Sequence, residues 1–352
     1  MTASRCYVAA AADEGLRLDA LLGERGLYGS RSAAARAIEE GRVLVNGAPA
    51  SKKDKVAAGS AVVYEVAGEA ATAPLAGEPI PLDIRYEDDD LLVLSKQAGL
   101  ICHPSDDHRD GTLVNALIHH CGAAHLCDVQ GERDRLGIVH RLDMDTSGLM
   151  LAAKGDDAGQ YLMDAIADRA VDRRYIALVH GVIAPDTGMV DAPIARHPKD
   201  RLRMAVRDCD SAREATTTFR VLERFGAEGR DNGYSLVECK LFTGRTHQIR
   251  VHMEYTGHPV VGDPLYTAHA PRDARAACGL RRQFLHSYRL RLEHPLTGEP
   301  LEFADGLPCD LREVLKGLEC RSLGRTGAGE EAFARIAAAP VPAVEGVPSL
   351  LQ

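Results

Sequence analysis

Short runs of aliphatic and β-branched residues recur through the middle of the chain. DLLVLSK (90–96), GIVHRLD (137–143), GLMLAAK (148–154), YIALVHGVI (175–183), YSLVECKL (234–241) and LRLEH (290–294) all read as strands. Helical spacing is rarer, notably in TLVNALIHHC (112–121) and QYLMDAIADRAV (160–171). Many strands with a few helices predict an α+β domain with a largely antiparallel mixed sheet. Nearer the start, Arg17-Leu18-Asp19 opens a short apolar segment ending at Leu22. A helix over 30–41 follows, capped by Ser30 or Ser32 and stopped by Gly41. RVLVNG then runs into Asn46-Gly47, the strongest two-residue hairpin signal. These patterns divide the chain into an extension (1–15), a small domain (16–66), an Ala/Gly/Pro-rich linker (67–80), a large domain (81–318) and a flexible tail (319–352). The tail holds room for a short helix in AFARIAAA (332–339). No internal repeat is present.

Composition narrows the class. Of 352 residues, 45% are hydrophobic and 26% charged, the balance of an ordinary globular protein. No window approaches 18 consecutive apolar residues, so no spanning helix is expected. The opening MTASRCYVAAAADEG lacks the apolar core of a secretory leader. Nine cysteines without a CxxC pair argue against a disulfide framework or structural zinc, and for a reducing cytoplasm. A net charge of −9 speaks against nucleic acid, so such a partner must rest on local clusters. Three exist. Residues 17–55 hold eight basic against five acidic side chains, 196–207 carry a local +4, and 272–291 a local +5. Charge alone leaves each of them readable as a solvated face.

The densest polar cluster inside an apolar frame is GIVHRLDMDTSGLMLAAK (137–154). If its first strand continues, Arg141 and Asp143 share a face. The plain alternative is an ion pair closing a hairpin. A second cluster, LFTGRTHQIRVHM (241–253), also alternates, with Arg245, His247, Ile249 and Val251 on one parity. A buried arginine needs a carboxylate, and Asp143 is the natural candidate. Such a pairing would keep that carboxylate ionised. No metal is expected: neither His247, His252 and His258 nor His119, His120 and Cys121 are spaced to converge, and HExxH is absent. GxGxxG and GxxxxGK[ST] are absent too, so no nucleotide cofactor is expected.

His140-Arg141-Leu142-Asp143-Met144-Asp145-Thr146-Ser147-Gly148 resembles the signature of the RluA/RluD-type pseudouridine synthases. Lys96 with His103-Pro104, Arg174-Tyr175-Ile176-Ala177, the run Gly244 to Arg250, Gly262-Asp263-Pro264, Leu285-His286 and His294-Pro295 continue the resemblance in order. Gln97 stands where the family usually has proline. The small unit's R-L-D-x-L-L, S-R-S-x-A, E-G-x-V-x-V-N-G and Lys-rich turn resemble an S4-type RNA-binding domain. With both parts, residues 16 to 310 are most similar to the large-subunit ribosomal RNA enzymes of the group.

The resemblance implies isomerisation of uridine to pseudouridine in structured ribosomal RNA, with no cofactor, no metal and no membrane. It implies Asp143 as the catalytic carboxylate, as nucleophile or general base. Arg141 would fill the gap left by the flipped base, Tyr175 would stack on that base, and Ile249 would wall the pocket. Arg245 would pair with the carboxylate. On the S4-type surface, Arg17, Arg31, Arg36, Arg42, Lys52 and Lys53 would neutralise phosphates. Two rival classes remain. One is a non-catalytic S4-type RNA-binding or ribosome-assembly factor, against which the intact Asp143, Tyr175 and Arg245 count. The other is a carbohydrate-active enzyme using Asp143 and Asp145, which needs its carboxylates about 5–10 Å apart and leaves the small domain unexplained.

Overall fold

The computed structural model describes residues 3–28, 31–66, 75–105, 108–129, 133–229, 231–267 and 278–343. The chain divides into units Met1–Pro74 and Leu75–Gln352.

In the first unit β1 (Ala3–Val8), α1 (Leu18–Glu24), α2 (Arg31–Glu39), β2 (Val43–Val45), β3 (Ala48–Pro49) and β4 (Ala61–Val66) form two helices on an antiparallel sheet of order β1-β4-β2-β3. Leu18, Leu21, Leu22, Ala34, Ala37 and Ile38 pack on Val43, Val62 and Tyr64. Asn46 (φ 52°) and Gly47 (φ 80°) make the expected tight turn, both in the left-handed region that a type I′ hairpin requires. The N-terminal boundary needs correction. Residues 3–8 are no loose extension: β1 pairs with β4 along its whole length. Buried Asp13 accepts hydrogen bonds from Tyr7 Oη (2.6 Å), Ala10 N (2.8 Å) and Arg25 Nε (2.8 Å). Ser30 lies outside the described residues.

The second unit holds β5 (Asp83–Glu87), β6 (Leu91–Lys96), α3 (Leu113–Cys121), β7 (Ser147–Ala153), α4 (Asp156–Ala167), β8 (Asp172–His180), β9 (Thr187–Asp191), β10 (Ile194–Arg196) and β11 (Met204–Val206). β12 (Thr216–Phe225), β13 (Tyr234–Leu241), α5 (Gln248–Tyr255), β14 (Leu285–Glu293), β15 (Pro300–Ala304), α6 (Cys309–Leu318), β16 (Ser322–Arg325) and α7 (Gly327–Ala338) complete it. Ten strands form one sheet, with the path β16-β12-β13-β8-β14-β7-β6-β5, β9 on β12 and β15 on β14. Among the strands of this sheet only β7 and β14 pair in parallel, so the expected α+β class and largely antiparallel sheet are what forms. Both faces are covered. On β6, Leu92 and Leu94 enter one core with α3, while Leu91 and Val93 enter the other with α4.

Four expectations change. GIVHRLD is not a strand: residues 137–146 are irregular apart from one bridge, Ile138 to Ala152, and β7 begins at Ser147. LFTGRTHQIRVHM does not continue as a strand either. β13 ends at Leu241, and α5 begins at Gln248 after a turn in which His247 adopts φ 57°. The second half of the presumed linker is packed: Asn115 Nδ2 donates to the Ala76 carbonyl (2.9 Å), Glu78 N donates to that of Asn115 (3.0 Å), and Leu75 and Ile80 join the core. Residues 67–74 are outside the described set. Last, the presumed tail is structural as far as Ala338. β16 pairs with β12, and α7, capped by Thr326, packs Ala332 into the core. Its Gly329 rests so close to the Leu222 carbonyl that a Cβ would lie 2.1 Å from that oxygen.

Candidate active site

The loop 139–146 leaves the sheet without forming a ladder, so its polar backbone needs partners elsewhere. Side chains from distant segments supply them. Buried Lys96 donates its Nζ protons to the carbonyls of Gln97 (2.8 Å), Leu100 (2.9 Å) and Met144 (2.8 Å). Cys102 Sγ reaches the Leu142 carbonyl (3.2 Å), Arg282 Nη1 that of Asp145 (3.1 Å), and Gln283 Nε2 the Thr146 hydroxyl (3.1 Å). Gly148 lets the loop enter β7 against β14: at φ 112°, a Cβ there would lie 2.2 Å from the Ser287 carbonyl oxygen. The result is a loop tied down from distant segments, with partly buried Asp143 at its turn.

Asp143 is 16% exposed, and its Oδ2 accepts from Arg250 Nη1 at 2.9 Å. Arg250 is itself clamped, Nε to Asp263 Oδ2 (2.7 Å) and Nη2 to Asp263 Oδ1 (3.0 Å), with its guanidinium 5.0 Å from the Tyr266 ring centre. Asp263 Oδ1 also accepts from the backbone nitrogens of Leu265 (2.9 Å) and Tyr266 (3.0 Å). Burial alone would raise the Asp143 pKa. The charges of His247 and Arg250, the hydrogen bond from Arg250, and Arg141 outweigh it and hold the carboxyl below its usual range. Burial pushes His247 itself down, so at neutral pH the two guanidiniums carry this effect. His247 is three residues from Arg250 on α5 and is bonded through Nδ1 to Tyr266 Oη (2.8 Å).

Three adjoining cavities share Arg141 and Asp143. One, of about 250 Å³, is lined by Cys102, His103, Met144, His247 and Arg250. A second, of about 400 Å³, reaches Tyr175, Arg173 and the 241–246 segment. A third, of about 50 Å³, is bounded by Tyr175, Ile249 and Leu285. Of the residues named from sequence, Arg141, Asp143, Tyr175, Arg245 and Ile249 thus meet at one place. Arg141 is exposed at the mouth, while Tyr175 and Ile249 are buried walls. Burial raises the Tyr175 phenol, which stays neutral.

The pairing of Asp143 with Arg245 does not form. Arg245 Nε donates to the Glu214 carbonyl (2.9 Å), and the carboxylate's partner is Arg250. Alternation hid this. On a strand Arg245 and Arg250 have opposite parity, whereas here Arg250 lies in the first turn of α5 and lines the same cavity as Asp143 and His247, the residue that precedes the helix. Gln248 was overlooked as well. Its Oε1 accepts from Thr243 Oγ1 (2.8 Å) and Arg245 N (2.9 Å), and its Nε2 donates to Thr217 Oγ1 (3.0 Å), which fixes the turn before α5.

The basic clusters fare unevenly. In the small unit Arg17 pairs with Asp19 (2.8 Å), Arg42 with Glu40 and Lys52 with Glu39, while Lys53 is exposed without an ion pair among the described residues. The side chains of Arg31 and Arg36 lie outside the description. On the β10–β11 hairpin Lys199 and Arg201 are exposed, and Arg203 pairs with Glu254 (2.8 Å). The 272–291 cluster divides: Arg281 and Arg291 are exposed, while two of its arginines are taken up by acids. Arg282 is buried on Asp310 (2.6 Å), Arg289 pairs with Glu302 (2.9 Å), and Arg272 and Arg275 are not among the described residues. Two groups could hold a metal by proximity, Glu87–His120–Cys121 and Asp88–Asp90–His294. Neither includes Asp143. Within them His120 bonds Glu87 (2.8 Å) and His294 bonds Asp88 (2.9 Å).

Residues 90–255 match the family described as RNA pseudouridylate synthase, and 16–62 match the S4 domain. The chain is 43% identical over 303 residues to an uncharacterized RNA pseudouridine synthase of Bacillus subtilis, covering 86% of this chain and 94% of that one. It is 42% identical over 311 residues to ribosomal large subunit pseudouridine synthase D of Xanthomonas campestris, covering 86% and 89%. Among solved structures it resembles human RNA pseudouridylate synthase domain containing 1, with a TM-score of 0.54 at 25% identity over 75% of this chain and 98% of that one. These similarities favour an enzyme over a purely RNA-binding factor. The chain belongs to the RNA pseudouridine synthase family, as an isomerase with an N-terminal S4 domain.

Proposed function

We propose that this enzyme converts uridine to pseudouridine in large-subunit ribosomal RNA in the cytoplasm, with Asp143 as its catalytic carboxylate. The RNA class is supported by the relatives named for the large ribosomal subunit, and the compartment by nine free cysteines. No helix among the described residues is long and apolar enough to cross a membrane. One observation carries the catalytic reading: a single carboxylate, held ionised by the Arg250–Asp263 clamp, stands where three cavities meet.

In the reaction the N1–C1′ bond breaks and a C5–C1′ bond forms, while C5 loses a proton and N1 gains one. There is no net redox change and no group donor. An ionised carboxylate beside the sugar serves this chemistry whether it adds to C1′ or takes up a proton. Arg141, exposed at the mouth, enters the stack as the uridine leaves it. Tyr175 and Ile249 receive the base, and Arg245 contacts RNA at the cleft wall rather than the carboxylate. The small domain grips phosphates with Arg17, Arg31, Arg36, Arg42, Lys52 and Lys53. Mapping pseudouridine in ribosomal RNA from cells with and without the gene tests the assignment. Loss of modification at one or more large-subunit uridines is expected, and an unchanged map contradicts it.

A further inference from the structure

β8 sends alternate side chains to opposite faces of the sheet. Arg174 faces one way and is closed in by Asp172 (2.9 Å) and Glu238 (2.7 Å). Arg173 and Tyr175 face the other way, into the cleft. Arg173 is 3% exposed, yet it has no ion pair or hydrogen bond among the described residues, and its Nε is buried without a partner. A buried cation left in that condition is costly, so a site built this way calls for an anion.

His140 gives a second, independent sign. Its Nε2 accepts the backbone N–H of Leu151 at 2.9 Å. Burial, with the charge of Arg173 behind it, pushes its pKa down to about 3, so the ring is neutral and carries its proton on Nδ1. That Nδ1 is buried with no acceptor. Arg173 and His140 line the same cavity of about 400 Å³, whose rim carries Arg141, Arg169 and Arg245. Besides Asp143, the acidic side chain on this wall is exposed Glu214. Gly244 keeps room for the guanidinium: a Cβ there would lie 3.2 Å from Arg173 Nη1.

We propose that this cavity is a phosphate subsite, in which Arg173 and His140 hold a backbone phosphate within two nucleotides of the target uridine. The inference rests on the RNA reading above and adds a place for the strand beside the reacting nucleotide. A phosphodiester offers only acceptors, the complement of donors without acceptors. The cavity opens beside Asp143, so a phosphate seated there fixes the sugar next to the carboxylate.

Methylphosphonate scanning tests this on a large-subunit ribosomal RNA fragment. Each phosphate within two nucleotides of the converted uridine is neutralised in turn, and binding and conversion are measured together. Wild type should lose roughly tenfold in affinity at one position. Arg173→Gln should bind the unmodified fragment about tenfold more weakly, lower the salt slope by about 0.7, and become indifferent to that methylphosphonate. Arg173→Lys should recover part of the affinity. The wild-type scan decides even where the variants fold poorly. A scan in which no position costs more than twofold, with conversion intact, overturns the subsite alone. Absence of conversion in every fragment overturns the functional reading and this subsite with it.

Discussion

The two units place their charges in opposite ways. In the small unit the paired basic side chains are partly exposed, some beside exposed acids, as Arg42 with Glu40 and Lys52 with Glu39 are, and such pairs contribute little to stability; the buried carboxylates Asp13, bonded to Arg25, and Asp19, bonded to Arg17, are the exceptions. In the catalytic unit the decisive charges are buried and linked over long sequence distances: Asp143 to Arg250, Arg250 to Asp263, Arg282 to Asp310. Charge counted along the chain therefore says little about its task. Exposed, it positions a polyanion. Buried and clamped, it fixes a protonation state.

The largest way to break this contrast is Arg250→Met. Removing one partner of a buried ion network costs about 3–5 kcal/mol and leaves both Asp143 and Asp263 uncompensated. Activity should be lost and the catalytic unit's melting temperature should fall. Arg245→Met, five residues away, should leave that temperature nearly unchanged and weaken RNA binding instead. Denaturation and turnover measured side by side check both.

Acid should separate the units next. No histidine precedes His103. In the catalytic unit burial holds His140 and His286 at about 3 and His180 at about 4. The unfolded chain takes up these protons near pH 6.5 while the folded one does not, so stability falls as pH drops below 6.5. Asp305, raised to about 6 mainly by burial, works in the opposite direction and offsets one of the three. The net is a loss of stability on acidification, to which His247 and His252, also pushed down by burial, add. Asp13 of the small unit is held below its usual value, so its contribution persists until the pH falls through the carboxylate range. Calorimetry from pH 7 to 4.5 should show the catalytic transition moving down first.

The smallest effect on chemistry should come from removing residues 1–74. Affinity for structured RNA and its salt dependence should drop, because fewer phosphate contacts release fewer counterions. Single-turnover conversion at saturating RNA should stay within a few-fold of the full chain. A large fall at saturation, with the remainder folded, would show that the small unit helps to build the active state.

Local signals were legible wherever local physics decides. Asn46-Gly47 forms the turn its backbone demands, and β6 alternates between two cores as its aliphatic run suggests. The cleft residues could be named because their motif is dense. Their partners could not. The loop around Asp143 is held by Lys96, Cys102, Arg282 and Gln283, 37 or more residues away, which no local pattern encodes. Helix α5 is buried from Gln248 to Met253 and so shows no amphipathic stripe, which let it pass for a strand and Arg245 pass for Arg250. The C-terminal elements pack through alanine and glycine, whose close contacts add little hydropathy.

The most direct test is single-turnover conversion of a large-subunit RNA fragment by Asp143→Asn, with binding measured on the same sample. The substitution keeps the side chain's shape and its place beside Arg250 but removes the charge. The account predicts no pseudouridine above background and affinity close to wild type. Measurable conversion by Asp143→Asn would contradict it.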